Sequence, residues 1–224
     1  MKKIILSLLL LCAAVGIQAQ TDRYACWLNA ATGAWEWGFF KDFAVHGARQ
    51  WQYASVKEGR KKTAVTLRSG KETLQLEIRY QNDSVCTIAV DDGKAQTYRL
   101  WNSAKSILSY LPADTAASRP CQFHENSVML RGYLPDFPNQ NLEYIYYERF
   151  QDTQKIANVP TDSIGRFELS IPVLGRTEVL FRIQSHMFSL LLSPQSECFL
   201  WIKGNSFLMM GENGRICLLY TSDA

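Results

Sequence analysis

Hydrophobic and polar residues alternate with a period of two along much of the chain, and turn residues interrupt the alternation at short intervals. Residues 72–79 are the clearest case. Leu74, Leu76 and Ile78 alternate with Thr73, Gln75, Glu77 and Arg79, the pattern of a half-buried antiparallel strand. Four polar stretches bracket this strand and its neighbours: Glu58-Gly59-Arg60, Arg68-Ser69-Gly70-Lys71, Gln81-Asn82-Asp83-Ser84 and Asp91-Asp92-Gly93-Lys94. Their Gly, Asn and Asp residues supply the positive φ that tight hairpins need. Strands are therefore predicted over 62–67, 73–80, 84–91 and 95–101, with one or two more within 34–40 and 43–53. The domain over residues 20–111 is expected to be an antiparallel meander or a small barrel.

The pattern changes after residue 101. Ile107, Leu108 and Leu111 fall on one helical face and Pro112 follows, so 103–111 is predicted as one short linking helix. Residues 112–125 open on a small, polar, proline-flanked stretch and form the linker. Alternation then resumes, with strands predicted over 127–134, 142–150, 155–161, 166–172, 178–184, 187–193 and 198–203. Gly165, in the turn Thr161-Asp162-Ser163-Ile164-Gly165-Arg166, is placed where a left-handed backbone is needed. Beyond it Phe167, Leu169 and Ile171 face one way and Arg166, Glu168 and Ser170 the other. Seven short strands with regular turns predict an antiparallel β-sandwich over 126–210. The fold class is all-β.

Both ends of the chain stand apart from this pattern. Lys2-Lys3, an apolar stretch from Ile4 to Ile17 and then Ala19 before Gln20 make residues 1–19 a signal peptide. The apolar stretch is too short for a comfortable bilayer span. Cys12 follows Leu11, where a lipidated cysteine needs a small residue, and so the mature chain is expected to be exported, with no stable membrane span once the signal is removed. The last stretch, 211–224, reads differently. Cys217-Leu218-Leu219-Tyr220-Thr221-Ser222-Asp223-Ala224 matches the one-frame translation of a transposase adapter used in sequencing libraries. Those eight residues are taken as non-native, and Cys217 is set aside from chemical arguments.

Composition narrows the function without naming it. The 224 residues are 47% hydrophobic and 20% charged, an ordinary globular balance with material for one large or two small cores. Removing Lys2 and Lys3 from the 24 basic residues leaves 22 against 21 acidic ones. A near-neutral surface gives no electrostatic reason to expect nucleic acid or an anionic membrane as partner. Of the cysteines, Cys26, Cys86, Cys121 and Cys198 remain, with no Cys-x-x-Cys spacing. Three disulfide pairings are open to them. Cys86 and Cys198 lie in apolar strands and read as buried thiols. His46, His124 and His186 do not cluster with cysteines at ligand spacing, so no metal or other cofactor is expected.

Constellations for catalysis are weak. Asp91-Asp92 sit in a hairpin turn, and Ser109, Ser185 and Ser189 lack a nucleophile-elbow context. Ser185 and His186 are adjacent, so as strand neighbours they face opposite ways. Arg60-Lys61-Lys62 is a short basic run at a turn. No catalytic residue is assigned. Trp35, Trp37 and Trp51 are the candidate ligand contacts: exposed, they could stack on a sugar or a hydrophobic peptide; buried, they fill a core.

Two stretches carry a resemblance. Asn29-Ala30-Ala31-Thr32-Gly33-Ala34-Trp35-Glu36-Trp37-Gly38-Phe39-Phe40, with Phe43-Ala44-Val45 and Trp51-Gln52-Tyr53, resembles the start of exported thioredoxin-fold proteins. Residues 128–132, Asp162-Ser163-Ile164-Gly165-Arg166-Phe167 and Leu192-Ser193-Pro194 are similar to the β-sandwich domain preceding thioredoxin in TlpA-like thiol–disulfide oxidoreductases. The resemblance implies a periplasmic or envelope location and a following thioredoxin domain with a Cys-x-x-Cys pair, to which no position here corresponds. The expected role is an accessory, client-positioning region whose partners are protein clients or that thioredoxin domain. The alternative is a self-contained extracytoplasmic module binding glycan or peptide.

Overall fold

The computed structural model describes residues 25–59, 62–101, 126–148, 153–194, 196–204, 206–211 and 219–220. These residues are all-β, with no helix among them. The helix expected over 103–111 and the linker over 112–125 lie outside the described residues, as does the signal segment 1–19.

Eight strands close into a barrel in sequence order: β1 (Ala25–Asn29), β2 (Trp35–Phe39), β3 (Phe43–His46), β4 (Arg49–Glu58), β5 (Thr63–Ser69), β6 (Glu72–Asn82), β7 (Val85–Val90) and β8 (Gln96–Leu100). Closure removes the exposed edges that an open sheet leaves to other chains. The alternation seen in the sequence becomes the barrel wall, with Val65, Leu67, Leu76, Ile78, Cys86, Ile88 and Tyr98 buried inside together with Trp27, Trp37, Ala44 and Trp51. An eight-stranded barrel is just wide enough for side chains to fill it, and the tryptophans supply the volume.

The stretch expected as strand over 43–53 is broken by a turn. Gly47 and Ala48 both have φ of 59°, so the chain reverses between β3 and β4 as in a type I′ hairpin. An alanine in the second turn position gives little warning of this, because that position normally takes Gly, Asn or Asp. The β1–β2 hairpin is built around Asn29. Its Oδ1 accepts N–H bonds from Ala31 at 2.9 Å and Thr32 at 3.3 Å, and its Nδ2 donates to Glu36 Oε1 at 2.9 Å. This network accounts for a buried asparagine in an apolar setting.

The rest of the described chain makes two sheets: β9 (Asn126–Tyr133), β10 (Asn141–Glu148), β11 (Thr153–Pro160), β12 (Arg166–Val173), β13 (Thr177–Ile183), β14 (His186–Leu192), β15 (Glu197–Lys203), β16 (Ser206–Gly211) and β17 (Leu219–Tyr220). One sheet has the order β11-β10-β13-β14-β17 and the other β12-β9-β15-β16. Val128, Leu130, Phe167, Leu169 and Ile171 of the second sheet share one buried cluster with Leu142, Val179, Phe181, Leu190 and Leu192 of the first. The antiparallel expectation needs one correction: β15 runs parallel to β9, from Glu197 opposite Met129 to Trp201 opposite Tyr133. A parallel pair requires a long crossover rather than a hairpin, and alternation within a strand carries no sign of it. β15 is central and is buried on both faces from Cys198 to Trp201.

By compactness the chain forms two units. The first takes most of the barrel, and the second takes the two sheets together with segments Asn29–Glu36 and His46–Arg49. Within the second, the turn before β12 is densely hydrogen-bonded. Asp162 Oδ1 accepts the N–H groups of Ile164 at 3.0 Å and Arg166 at 2.8 Å, while Oδ2 accepts Arg166 Nε at 2.7 Å. Thr161 Oγ1 donates to the Phe137 carbonyl at 2.6 Å and accepts the Gln140 N–H at 2.9 Å. Gly165 has φ +93°, and a Cβ there would collide with the Leu134 carbonyl, whose carbon lies 2.7 Å from the Cβ position. Only glycine satisfies both conditions.

Candidate functional site

The three tryptophans that sequence puts forward for ligand contact are all enclosed: Trp37 is 0% exposed, Trp51 4% and Trp35 5%. Trp37 and Trp51 project into the barrel, and Trp37 stacks on Phe39 at 5.7 Å with nearly parallel rings. Trp35 lies edge-on to Phe199 at 6.1 Å. A ring so placed offers no free face to a sugar or a peptide; its area stabilises the fold instead.

Cys26, Cys86 and Cys198 are buried, and none of them is in a disulfide among the described residues. Cys86 faces the barrel interior, whereas Cys26 sits beside inward-facing Trp27 and so points to the other side of the wall. Cys198 belongs to the core of the two-sheet unit. Burial pushes the Cys86 thiol up to about 12 and raises that of Cys26 as well. A thiol that keeps its proton is a poor nucleophile and a poor metal ligand. Cys121 lies outside the described residues. Among the described residues no group of three or more His, Cys, Asp and Glu could hold a metal ion.

The remaining polar candidates serve the fold. Asp91 Oδ1 accepts the Gln75 N–H at 3.0 Å and ties its hairpin to β6. His46 Nδ1 lies 3.0 Å from the Glu36 carbonyl, and burial holds its pKa below the usual histidine range despite that bond and the Glu36 charge. The His186 ring stands edge-on to Phe137 at 5.2 Å. His124 lies outside the described residues.

Where the barrel does offer chemistry is at one end, and the register shows which. Val56 pairs with Val65, Glu58 with Thr63, Thr63 with Ile78, and Tyr80 with Cys86. Directly paired residues share a face of the sheet, and Val65, Ile78 and Cys86 face inward. Val56, Glu58 and Tyr80 therefore continue the inner face past the packed interior. Along β6 the inward series Leu76, Ile78, Tyr80 runs from 3% and 3% exposed to 53%. Val56, in the row of Val65 and Leu76, is 49% exposed. The Tyr80 ring rests 6.1 Å from buried Trp27. Tyr53 also faces inward, opposite Leu67, and its hydroxyl donates to the Phe40 carbonyl at 2.9 Å. Burial raises both phenols first; Cys86 and Glu58 add to this at Tyr80, and Tyr80 and Asp42 add to it at Tyr53.

The inner face thus ends in Tyr80 on β6 and in Val56 and Glu58 on β4. Sequence reading passed over Tyr80 and Glu58. The available signal was the extension of the series 74, 76, 78 to an amphipathic tyrosine, directly before the turn at 81–84. No family model matches the chain, and no curated protein or solved structure is significantly similar to it.

Proposed function

We propose that the chain is the non-catalytic part of an exported thiol–disulfide oxidoreductase of the cell envelope. It holds clients for a thioredoxin domain encoded beyond Gly214. The observation that supports this reading is the state of the sulfur: Cys26, Cys86 and Cys198 are buried, and burial raises the Cys26 and Cys86 thiols away from the range of a reactive thiolate, as a scaffold preceding a separate redox domain would have it. The turn Asp162–Phe167, which carries the resemblance to TlpA-like proteins, is held by three hydrogen bonds to the Asp162 carboxylate. In this reading, residues 1–19 direct export.

Two measurements test it. The chain should reduce insulin disulfides no faster than a variant with Cys26, Cys86, Cys121 and Cys198 replaced by serine; faster turnover would show a redox centre within these sheets. Reading the gene past Gly214 should give a Cys-x-x-Cys in a βαβ setting. A stop codon directly there would sink the proposal.

A further inference from the structure

The two-sheet unit has an edge whose backbone is open to strand pairing. We propose that the outer edge of β14 is a docking site for an extended polypeptide segment of a client protein, and that β17 occupies it in part. The source of the segment rests on the client-holding reading just given; the docking itself does not.

The composition of the edge is the first observation. Edge strands are ordinarily protected by charge or proline, which keep other chains from pairing with them. β11 has Lys155 and Pro160, and β12 has Arg166, Glu168 and Pro172. β14 reads His186-Met187-Phe188-Ser189-Leu190-Leu191-Leu192, with no Lys, Arg, Asp, Glu or Pro. Its register with β13 runs unbroken from Thr177–Leu192 to Ile183–His186, so no bulge turns the edge aside. β16 is equally uncharged, but no strand pairs with its outer edge among the described residues.

The second observation is a strand already seated on β14. Leu190 pairs with Leu219 and Ser189 with Tyr220, antiparallel, in the middle of the strand. Both partners belong to the terminal stretch read as non-native, so their pairing reflects no matched sequence. β14 takes them through its backbone. Two pairs, against the seven that join β14 to β13, make a short and exchangeable contact. An incoming strand of about five or six residues, the ordinary length, offers more main-chain bonds. Met187, two residues before Ser189, is 49% exposed, so water reaches β14 on that side of the pairing.

The register also states what the segment must look like. Phe188, Leu190 and Leu192 belong to the buried core, and Met187, Ser189 and Leu191 alternate with them. Directly paired residues share a face of the sheet. A docked segment is therefore apolar at every second position, opposite Phe188, Leu190 and Leu192, and unrestricted between them. Main-chain bonds supply affinity with little demand on sequence, which suits a surface that holds different clients.

Amide resonances of the full chain are followed by two-dimensional NMR while one of two peptides is added. One is Lys-Val-Thr-Val-Thr-Val-Lys, and the other Lys-Val-Thr-Pro-Thr-Val-Lys, whose proline interrupts the ladder. Shifts centred on residues 186–192 with the first peptide, and none with the second, support the site. Leu219→Pro removes the competing strand and should tighten binding of the first peptide about threefold. Shifts centred on β11, β12 or β16, an equal response to the proline peptide, or an affinity unchanged in Leu219→Pro would overturn the proposal. Concentration-dependent dimers of Leu219→Pro in sedimentation, with no peptide bound, would give the edge to a second copy and overturn it too. A failed titration leaves the redox reading standing, whereas a stop codon after Gly214 sinks that reading and leaves a docked peptide in place.

Discussion

In the barrel, each strand pairs with its neighbours in sequence, from β1 round to β8. In the two-sheet unit, β9 lies between β12 and β15, and β10 between β11 and β13, so most pairings join distant parts of the chain. Their interiors differ as well. Four of the barrel's buried core residues are Trp27, Trp37, Trp51 and Tyr98, whereas the two-sheet core is built from Leu, Ile, Val and Phe. A closed cylinder of short strands has a narrow interior that a few large rings can fill. Two facing sheets need many interlocking aliphatic side chains of moderate size. Closure also leaves the barrel without edges, while the two-sheet unit keeps β11, β17, β12 and β16 at its margins.

This contrast can be broken by mutation, and the largest effect should come from the deepest rings. Trp37→Ala in the barrel and Phe181→Ala between the sheets should each cost about 4 kcal/mol in urea unfolding, since both side chains are fully buried. A loss below about 1 kcal/mol for either would mean that its surroundings collapse readily. Next in size is Gly165→Ala, which meets the Leu134 carbonyl at φ +93°. It should destabilise the two-sheet unit by about 3 kcal/mol, and an unchanged urea midpoint would remove the turn's claim to need glycine.

Asp162→Ala should cost about 2 kcal/mol, because two backbone N–H groups and the Arg166 guanidinium lose a charged acceptor. Burial alone would raise this carboxyl, but bonds from Arg166 and Ile164 outweigh it and hold the pKa below the ordinary aspartate value. The stabilisation is therefore complete above the unfolded pKa of about 3.9 and declines as pH falls below it. Melting curves from pH 7 to pH 2 should show a smaller acid loss in Asp162→Asn than in the parent. Cys86 has the opposite sign. Its folded pKa is raised, so its contribution is complete below an unfolded value of about 8.5 and is lost as pH climbs towards about 12. Cys86→Ala should flatten that alkaline decline.

Smaller effects test the turns and the surface. Ala48→Gly relieves a left-handed alanine and should raise stability by about 0.5–1 kcal/mol. Arg131→Met removes ion pairs to Glu168 and Glu197, both at 2.8 Å on the exterior of the four-stranded sheet. It should change stability by less than about 1 kcal/mol, because partly exposed pairs gain little in water.

The same comparison explains how far reading the residues could go. Strands β5 to β8 and β9 to β15 lie within two residues of the ranges their alternation predicts, because a strand half in water must alternate. Strand β1 was missed: Cys26, Trp27 and Leu28 are buried on successive positions, so no period of two shows. Strand β16 was missed for a related reason, with Leu208, Met209, Met210 and Gly211 all buried. The β3–β4 reversal escaped notice because Ala48 occupies a position that usually advertises itself with Gly or Asn. At the end of β6, Tyr80 continues the inward series of Leu76 and Ile78, and nothing in the alternation marks that it is 53% exposed.

The order of residues by itself determined an all-β chain, the extent of most strands, and the glycine-dependent turn before β12, since each of these depends on neighbours a few residues apart. Only the tertiary structure decided that eight strands close on themselves, that β15 runs parallel to β9, and that Trp37 is hidden while Tyr80 is in water. Those outcomes depend on which distant strands meet, and a local pattern of polar and apolar residues is compatible with several such meetings. The free energy of packing chooses among them.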